Sequence, residues 1–124
     1  MIPNPMREPI TLPVRVLEGF LLYAVALAVG ARVTGWVRTR ERNAEVGGHP
    51  ESYHLWGGAV DVAADTTAAQ RQVLSRLAKE VDETDRQDAP HYHYQVDGRA
   101  LPVLVAVIAA AGLSWNQWTK GGRR

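Results

Sequence analysis

The chain has 124 residues, of which 46% are hydrophobic and 22% charged, a composition typical of one folded domain with a single modest core. The net charge is only +1, because 14 lysines and arginines face 13 aspartates and glutamates, so the charge balance does not favour nucleic-acid binding. The absence of cysteine excludes disulfide scaffolds, iron–sulfur clusters and thiol nucleophiles. Any metal site in this chain must therefore use histidine and carboxylate ligands.

We predict that the first 13 residues form an extended arm of the single domain that spans residues 1–124, because four of the seven prolines lie there. The same segment lacks the features of a signal peptide, since Glu8 and the prolines stand where a basic and then an apolar region would be. We therefore expect a protein made in the cytoplasm, which would act outside only after host lysis, through a pore or as part of a particle.

The segment after the arm predicts a long helix, a strand and a short helix. Nearly continuous apolar residues over 14–29 predict the long helix, with Gly30 as its C-terminal stop. Residues 32–37 are rich in strand-forming types, and residues 39–46 suit a short helix before two glycines.

A second strand is predicted over residues 58–63. Its alternation places Val60 and Val62 on one face and Asp61 on the other. A capping-box pattern and an apolar stripe then predict a helix over residues 67–81.

An acidic connector leads to residues 90–96, which alternate strictly in type. As a strand, this run places His91 and His93 on one face and two tyrosines on the other. After a turn, residues 101–111 predict a helix that ends at Gly112. Residues 113–118 predict a last strand, and residues 119–124 predict a flexible basic tail.

The two most apolar stretches, residues 19–31 and 101–112, are shorter than the roughly 20 residues needed to span a bilayer. Both therefore predict buried helices and no transmembrane segment. The predicted fold class is α+β, with helices packed on one face of a small antiparallel sheet. The four expected strands lie near Val33, Val60, Tyr92 and Trp115.

The residues able to bind a metal are concentrated in two places. His54 and Asp61 are separated by glycines that let the backbone turn, and His91 and His93 come from the later strand. Two histidines and one aspartate would leave an open position on a tetrahedral zinc, which is the catalytic arrangement. A His-x-His pair on a strand is, however, more often exposed or simply hydrogen-bonded, so the pattern alone leaves both readings open.

Three ordered motifs together resemble the zinc D-alanyl-D-alanine carboxypeptidase family, which includes phage L-alanyl-D-glutamate endolysins and the hedgehog signalling domain. The motifs are VTGWVRTRERNAEVGG at 33–48, SYHLWGGAVD at 52–61 and PHYHYQV at 90–96. The family pattern Ser-x-His-x-x-Gly-x-Ala-x-Asp is matched without a gap at Ser52, His54, Gly57, Ala59 and Asp61. The resemblance covers roughly residues 14–96 and implies a hedgehog-like peptidase fold.

The resemblance implies a Zn²⁺ site whose ligands are His54, Asp61 and His93. His91 would be the neighbour that faces water or substrate. Many relatives place an acidic general base three residues before the last ligand, where this chain has Pro90. The resemblance therefore leaves the role of the base to His91, which we favour, or to Asp88.

Three further residues take roles from the same resemblance. Arg38 would stabilise an oxyanion or hold a substrate carboxylate, because its planar guanidinium can donate two parallel hydrogen bonds. Ser52 would hydrogen-bond the substrate backbone or orient its loop, and Trp56 would line the cleft.

The implied activity is zinc-dependent hydrolysis of a peptide bond in the stem peptide of peptidoglycan, either D-Ala-D-Ala or L-Ala-D-Glu. The small size and the missing signal peptide suit a phage lysis enzyme or virion component that acts on the cell wall. The alternative is a catalytically weak or inactive, metal-stabilised module that binds cell-wall peptides.

Overall fold

A computed structural model describes residues 12–81 and 90–121, and its architecture is α+β. The helices are α1 (Leu12–Ala28), α2 (Arg40–Glu45), α3 (Ala68–Ser75) and α4 (Leu101–Gly121), with a 3₁₀ turn at Tyr53–Trp56. The strands are β1 (Val33–Gly35), β2 (Ala59–Ala63), β3 (Lys79–Val81) and β4 (His91–Gln95). They form one antiparallel sheet in the order β1-β2-β4-β3, which confirms the predicted α+β class with a small antiparallel sheet.

The central pair of strands determines what the two faces of the sheet carry. In the register of β2 and β4, Asp61 lies opposite His93 and Ala63 lies opposite His91. Successive side chains of a strand point to opposite faces, so these residues share one face while Val60 and Val62 share the other.

The hydrophobic core lies on the face that carries the valines. Leu22 and Ala26 from one side of α1 belong to the same buried cluster as Val60, Val62 and Tyr94, and Leu74 of α3 is also a member. The alternation predicted for both strands is therefore confirmed: apolar side chains enter the core, and Asp61 and the histidines lie on the opposite face.

The third strand corrects the helix predicted over residues 67–81. Helix α3 ends at Ser75, and Lys79–Val81 pair with β4. The apolar spacing misled because Leu77 and Ala78 are buried in the turn that returns the chain to the sheet. Pairing with a strand distant in sequence outweighs local helical periodicity here.

The C-terminal segment corrects two predictions. Residues 113–118 do not form a strand, because α4 continues through Gly112 to Gly121. One glycine costs a helix interior only about 1 kcal/mol, which the surrounding helix formers tolerate. Residues 12 and 13, the last two of the predicted arm, belong to α1, and residues 119–121 of the predicted tail belong to α4. The remaining residues of the arm and the tail, 1–11 and 122–124, lie outside the described part of the chain.

The burial predicted for the C-terminal helix is also wrong. Among the described residues, α4 is the one helix long and apolar enough to cross a membrane, and none of its Leu101–Thr119 window is buried. By contrast, α1 buries one side against the sheet, as predicted.

Candidate metal centre

Three potential metal ligands converge on the polar face of the sheet. Nδ1 of His93 lies 2.8 Å from Oδ1 of Asp61, directly across the β2–β4 pair. Nε2 of His54 lies 3.1 Å from Oδ2 of the same carboxylate. All three side chains are buried, and one potential ligand atom from each lies within 4.8 Å of the others. This group could hold a metal ion, and it consists of the three residues that the sequence motifs indicated.

His54 reaches the carboxylate from the 3₁₀ turn that precedes β2. Oγ of Ser52 accepts a hydrogen bond from the backbone N–H of His54 at 3.3 Å, and Gly57 ends the turn with φ of 82°. The backbone N–H of Arg38 donates to the carbonyl of His54 at 2.9 Å. Of the two roles foreseen for Ser52, the observed contact is the one that orients the loop.

The outer ring nitrogens of both histidines have hydrogen-bond partners. Nδ1 of His54 lies 2.7 Å from the carbonyl oxygen of Trp36, and Nε2 of His93 lies 3.3 Å from Oε1 of Gln95. A carbonyl oxygen only accepts, so Nδ1 of His54 carries a hydrogen, and the other nitrogen of each ring faces Asp61. Metal-ligating histidines usually have such outer partners.

The sequence analysis missed both partners. The Trp36 partner is a backbone carbonyl, which no side-chain pattern reveals. Gln95 carried a usable signal, because it follows His93 by two residues and so lies on the same strand face.

Within the group of three potential ligands, Nε2 of His54 is buried without a hydrogen bond. Nε2 of His54 is inaccessible to solvent and has no partner in suitable geometry, although a carboxylate oxygen lies nearby. Buried polar atoms are nearly always satisfied, so a buried ring nitrogen without a hydrogen bond, beside a carboxylate, is a place where a cation fits.

The electrostatics keep the central carboxylate charged. Burial raises the pKa of Asp61, but the imidazoles of His54 and His93 lower it more strongly, so it lies well below its ordinary value. Nη2 of Arg38 is 3.5 Å from Oδ2 of Asp61 and adds positive charge. An ionised carboxylate is the form that binds a metal.

Arg38 is held in place by the loop that contains the paired glycines. Its Nη1 donates to Oδ1 of Asn43 at 3.0 Å, and Nδ2 of Asn43 donates to the carbonyl of His49 at 2.7 Å. A Cβ atom at Gly48 would overlap Oδ1 of Asn43, so this close approach requires glycine. The loop therefore positions the guanidinium beside Asp61.

A cavity of about 400 Å³ borders the metal-binding group at Asp61. Arg38, Asp61 and His91 line it, and Nε2 of His91 lies 3.5 Å from Oδ1 of Asp61. A Cβ atom at Gly35 would lie 3.2 Å from Oδ2 of Asp61, so glycine leaves the approach to the carboxylate open. The remaining lining residues are Thr34, Gly35, Trp36, Val37, Arg42 and Val46.

The structure places Trp56 against the core and not at this cavity. The ring of Trp56 packs against Tyr53 and the core, with ring centroids 4.9 Å apart, and Trp56 is not among the described residues that line the cavity. Trp36 lines it instead, stacked on Tyr23 at 4.0 Å. Asp88 lies outside the described residues.

Comparison with known proteins leaves the resemblance resting on the motifs and on this geometry. No family model, no curated protein and no solved structure matches the chain.

Proposed function

We propose that this protein is a zinc-dependent peptidase that hydrolyses a peptide bond in the stem peptide of peptidoglycan. The observation that supports this most strongly is the buried convergence of two imidazoles and one carboxylate beside an open cavity. Three protein ligands with a free fourth position are the arrangement of catalytic zinc sites, whereas structural sites are closed by four.

The donor set favours zinc over the harder divalent cations. Calcium and magnesium prefer oxygen ligands, whereas two imidazole nitrogens and a carboxylate suit zinc and its transition-metal neighbours. Nε2 of His54 and Nδ1 of His93 are the nitrogen atoms available for this role, and Asp61 offers the oxygen. When bound, zinc would supply a Lewis acid for the scissile carbonyl.

The residues around the cavity take the remaining tasks. His91 is the general base in this proposal, because its ring borders both the cavity and the metal-binding carboxylate. Arg38 points its guanidinium at the same space and donates hydrogen bonds either to the developing oxyanion or to a substrate carboxylate. Asp88 remains the rival base in this proposal.

Mass spectrometry of muropeptides after incubation with the zinc-loaded protein tests this function. We expect a cleaved stem peptide with the parent, no cleavage with His93→Ala, and parental cleavage with His49→Ala. The last variant removes an exposed histidine outside the metal group and is the matched control. Intact muropeptides after incubation with a zinc-loaded, folded parent would contradict the proposal.

The second candidate is a metal-stabilised module that binds cell-wall peptides without cleaving them. The observation that favours it is Pro90, which stands directly before β4 where many similar peptidases carry the acidic base. Tight binding of a stem peptide by the zinc-loaded parent, with no cleavage, would support this candidate over the peptidase.

A further inference from the structure

Helix α4 exposes large apolar side chains in several directions around its axis. Val103, Ile108 and Leu113 are each 40% or more exposed. A helix turns by about 100° per residue, so residues five apart point in three different directions around the axis. A helix that is hydrophobic all round belongs in a protein core or in a membrane. The exposure of α4 excludes the core of this domain.

The dimensions of α4 match a bilayer. The apolar window Leu101–Thr119 has 19 residues, which corresponds to a length of about 28 Å. The hydrocarbon core of a bilayer is about 30 Å thick. No residue in this window is charged. The expectation of no transmembrane segment depends on an apolar stretch that ends at residue 112, and the continuous helix to Gly121 removes that reason.

The C-terminal end of α4 has the chemistry of a membrane interface. Trp115 and Trp118 are both more than 60% exposed, and their rings lie side by side with centroids 5.3 Å apart. Lys120, Arg123 and Arg124 follow them in the sequence. Tryptophan is enriched at the headgroup level, and basic residues next to it are attracted to anionic lipids.

From these features we propose that α4 inserts into a lipid bilayer and anchors the domain to a membrane. This inference does not depend on the peptidase proposal, because none of its residues belongs to the metal centre. A second copy of the chain is a weaker occupant. Docking on the exposed apolar side of α1, for example on Phe20, would cover one side of α4 and leave the others in water.

Flotation of the full chain with phosphatidylcholine vesicles containing a minority of phosphatidylglycerol tests the anchor. We expect the parent to float with the vesicles and to resist extraction by high salt and by alkaline carbonate. The double variant Val105→Lys/Ile108→Lys should lose membrane binding, because each central lysine reduces insertion by about 100-fold. Lysine would strengthen attraction to the anionic vesicles, so the loss cannot come from surface charge.

The matched control is Leu27→Lys, the same change at an exposed apolar position of α1. It should float like the parent, and both variants should keep the parental thermal unfolding and zinc content. Release of the parent by high salt would overturn the proposal, as would equal loss of flotation in Leu27→Lys. A parent that stays in solution as an oligomer, which Val105→Lys/Ile108→Lys converts to a monomer, would assign α4 to a second copy.

Discussion

Replacing Gln95 by leucine should weaken zinc binding without disturbing the fold. The change removes the acceptor that holds the outer ring nitrogen of His93, while leaving all three ligands in place. Loss of such an outer partner typically lowers metal affinity 10- to 100-fold. The Nε2 to Oε1 distance of 3.3 Å is long for a hydrogen bond, so we expect the lower end, about 10-fold or about 1.4 kcal/mol.

Competition with a chromophoric zinc chelator measures this affinity directly. Gln72→Leu makes the same chemical change at an exposed position of α3 and should bind zinc like the parent. Gln95→Glu keeps an acceptor at the site and should retain at least the parental affinity. Unchanged affinity in Gln95→Leu, or an equal loss in Gln72→Leu, would refute the reasoning that Gln95 positions His93.

Three more predictions concern the groups around the ligands. His91→Ala should keep zinc while turnover falls about 10²- to 10⁴-fold; full activity in this variant together with loss in Asp88→Ala would move the base to Asp88. Arg38→Lys should lower kcat about 10²- to 10³-fold with little change in KM; a loss confined to KM would make Arg38 a clamp for a substrate carboxylate. The pKa of Asp61 is lower in the folded chain than in the unfolded chain, so its charge stabilises the metal-free protein at pH values above the unfolded pKa of about 3.9. This stabilisation is lost as the pH falls through the folded pKa. Thermal unfolding with a chelator should therefore show a steeper loss of Tm below about pH 4 in the parent than in Asp61→Asn, and parallel curves would contradict this.

The features that sequence reasoning recovered are those that depend on local periodicity. Alternation alone indicated that Val60 and Val62 enter the core, that Asp61 faces away from it, and that His91 and His93 share one face. The pairing of Asp61 with His93 follows from the register between strands about 30 residues apart, which no local pattern contains. The motifs supplied that pairing only through the resemblance.

The features that sequence reasoning missed have different physical causes. Strand β3 has only three residues and forms because β4 offers it a partner. Helix α4 continues through Gly112 because a single glycine is a weak helix stop when no turn or partner strand follows. The hydrogen bond from His54 to the Trp36 carbonyl depends on the backbone path of β1, which the residue types do not specify.

The central claim is that His54, Asp61 and His93 bind one zinc ion, and elemental analysis of the purified chain tests it most directly. After expression with ample metal, we predict one zinc per chain for the parent and for His49→Ala. We predict loss of the bound zinc in His93→Ala. Zinc-free parent protein, or a His93→Ala variant that binds zinc as tightly as the parent, would contradict the account.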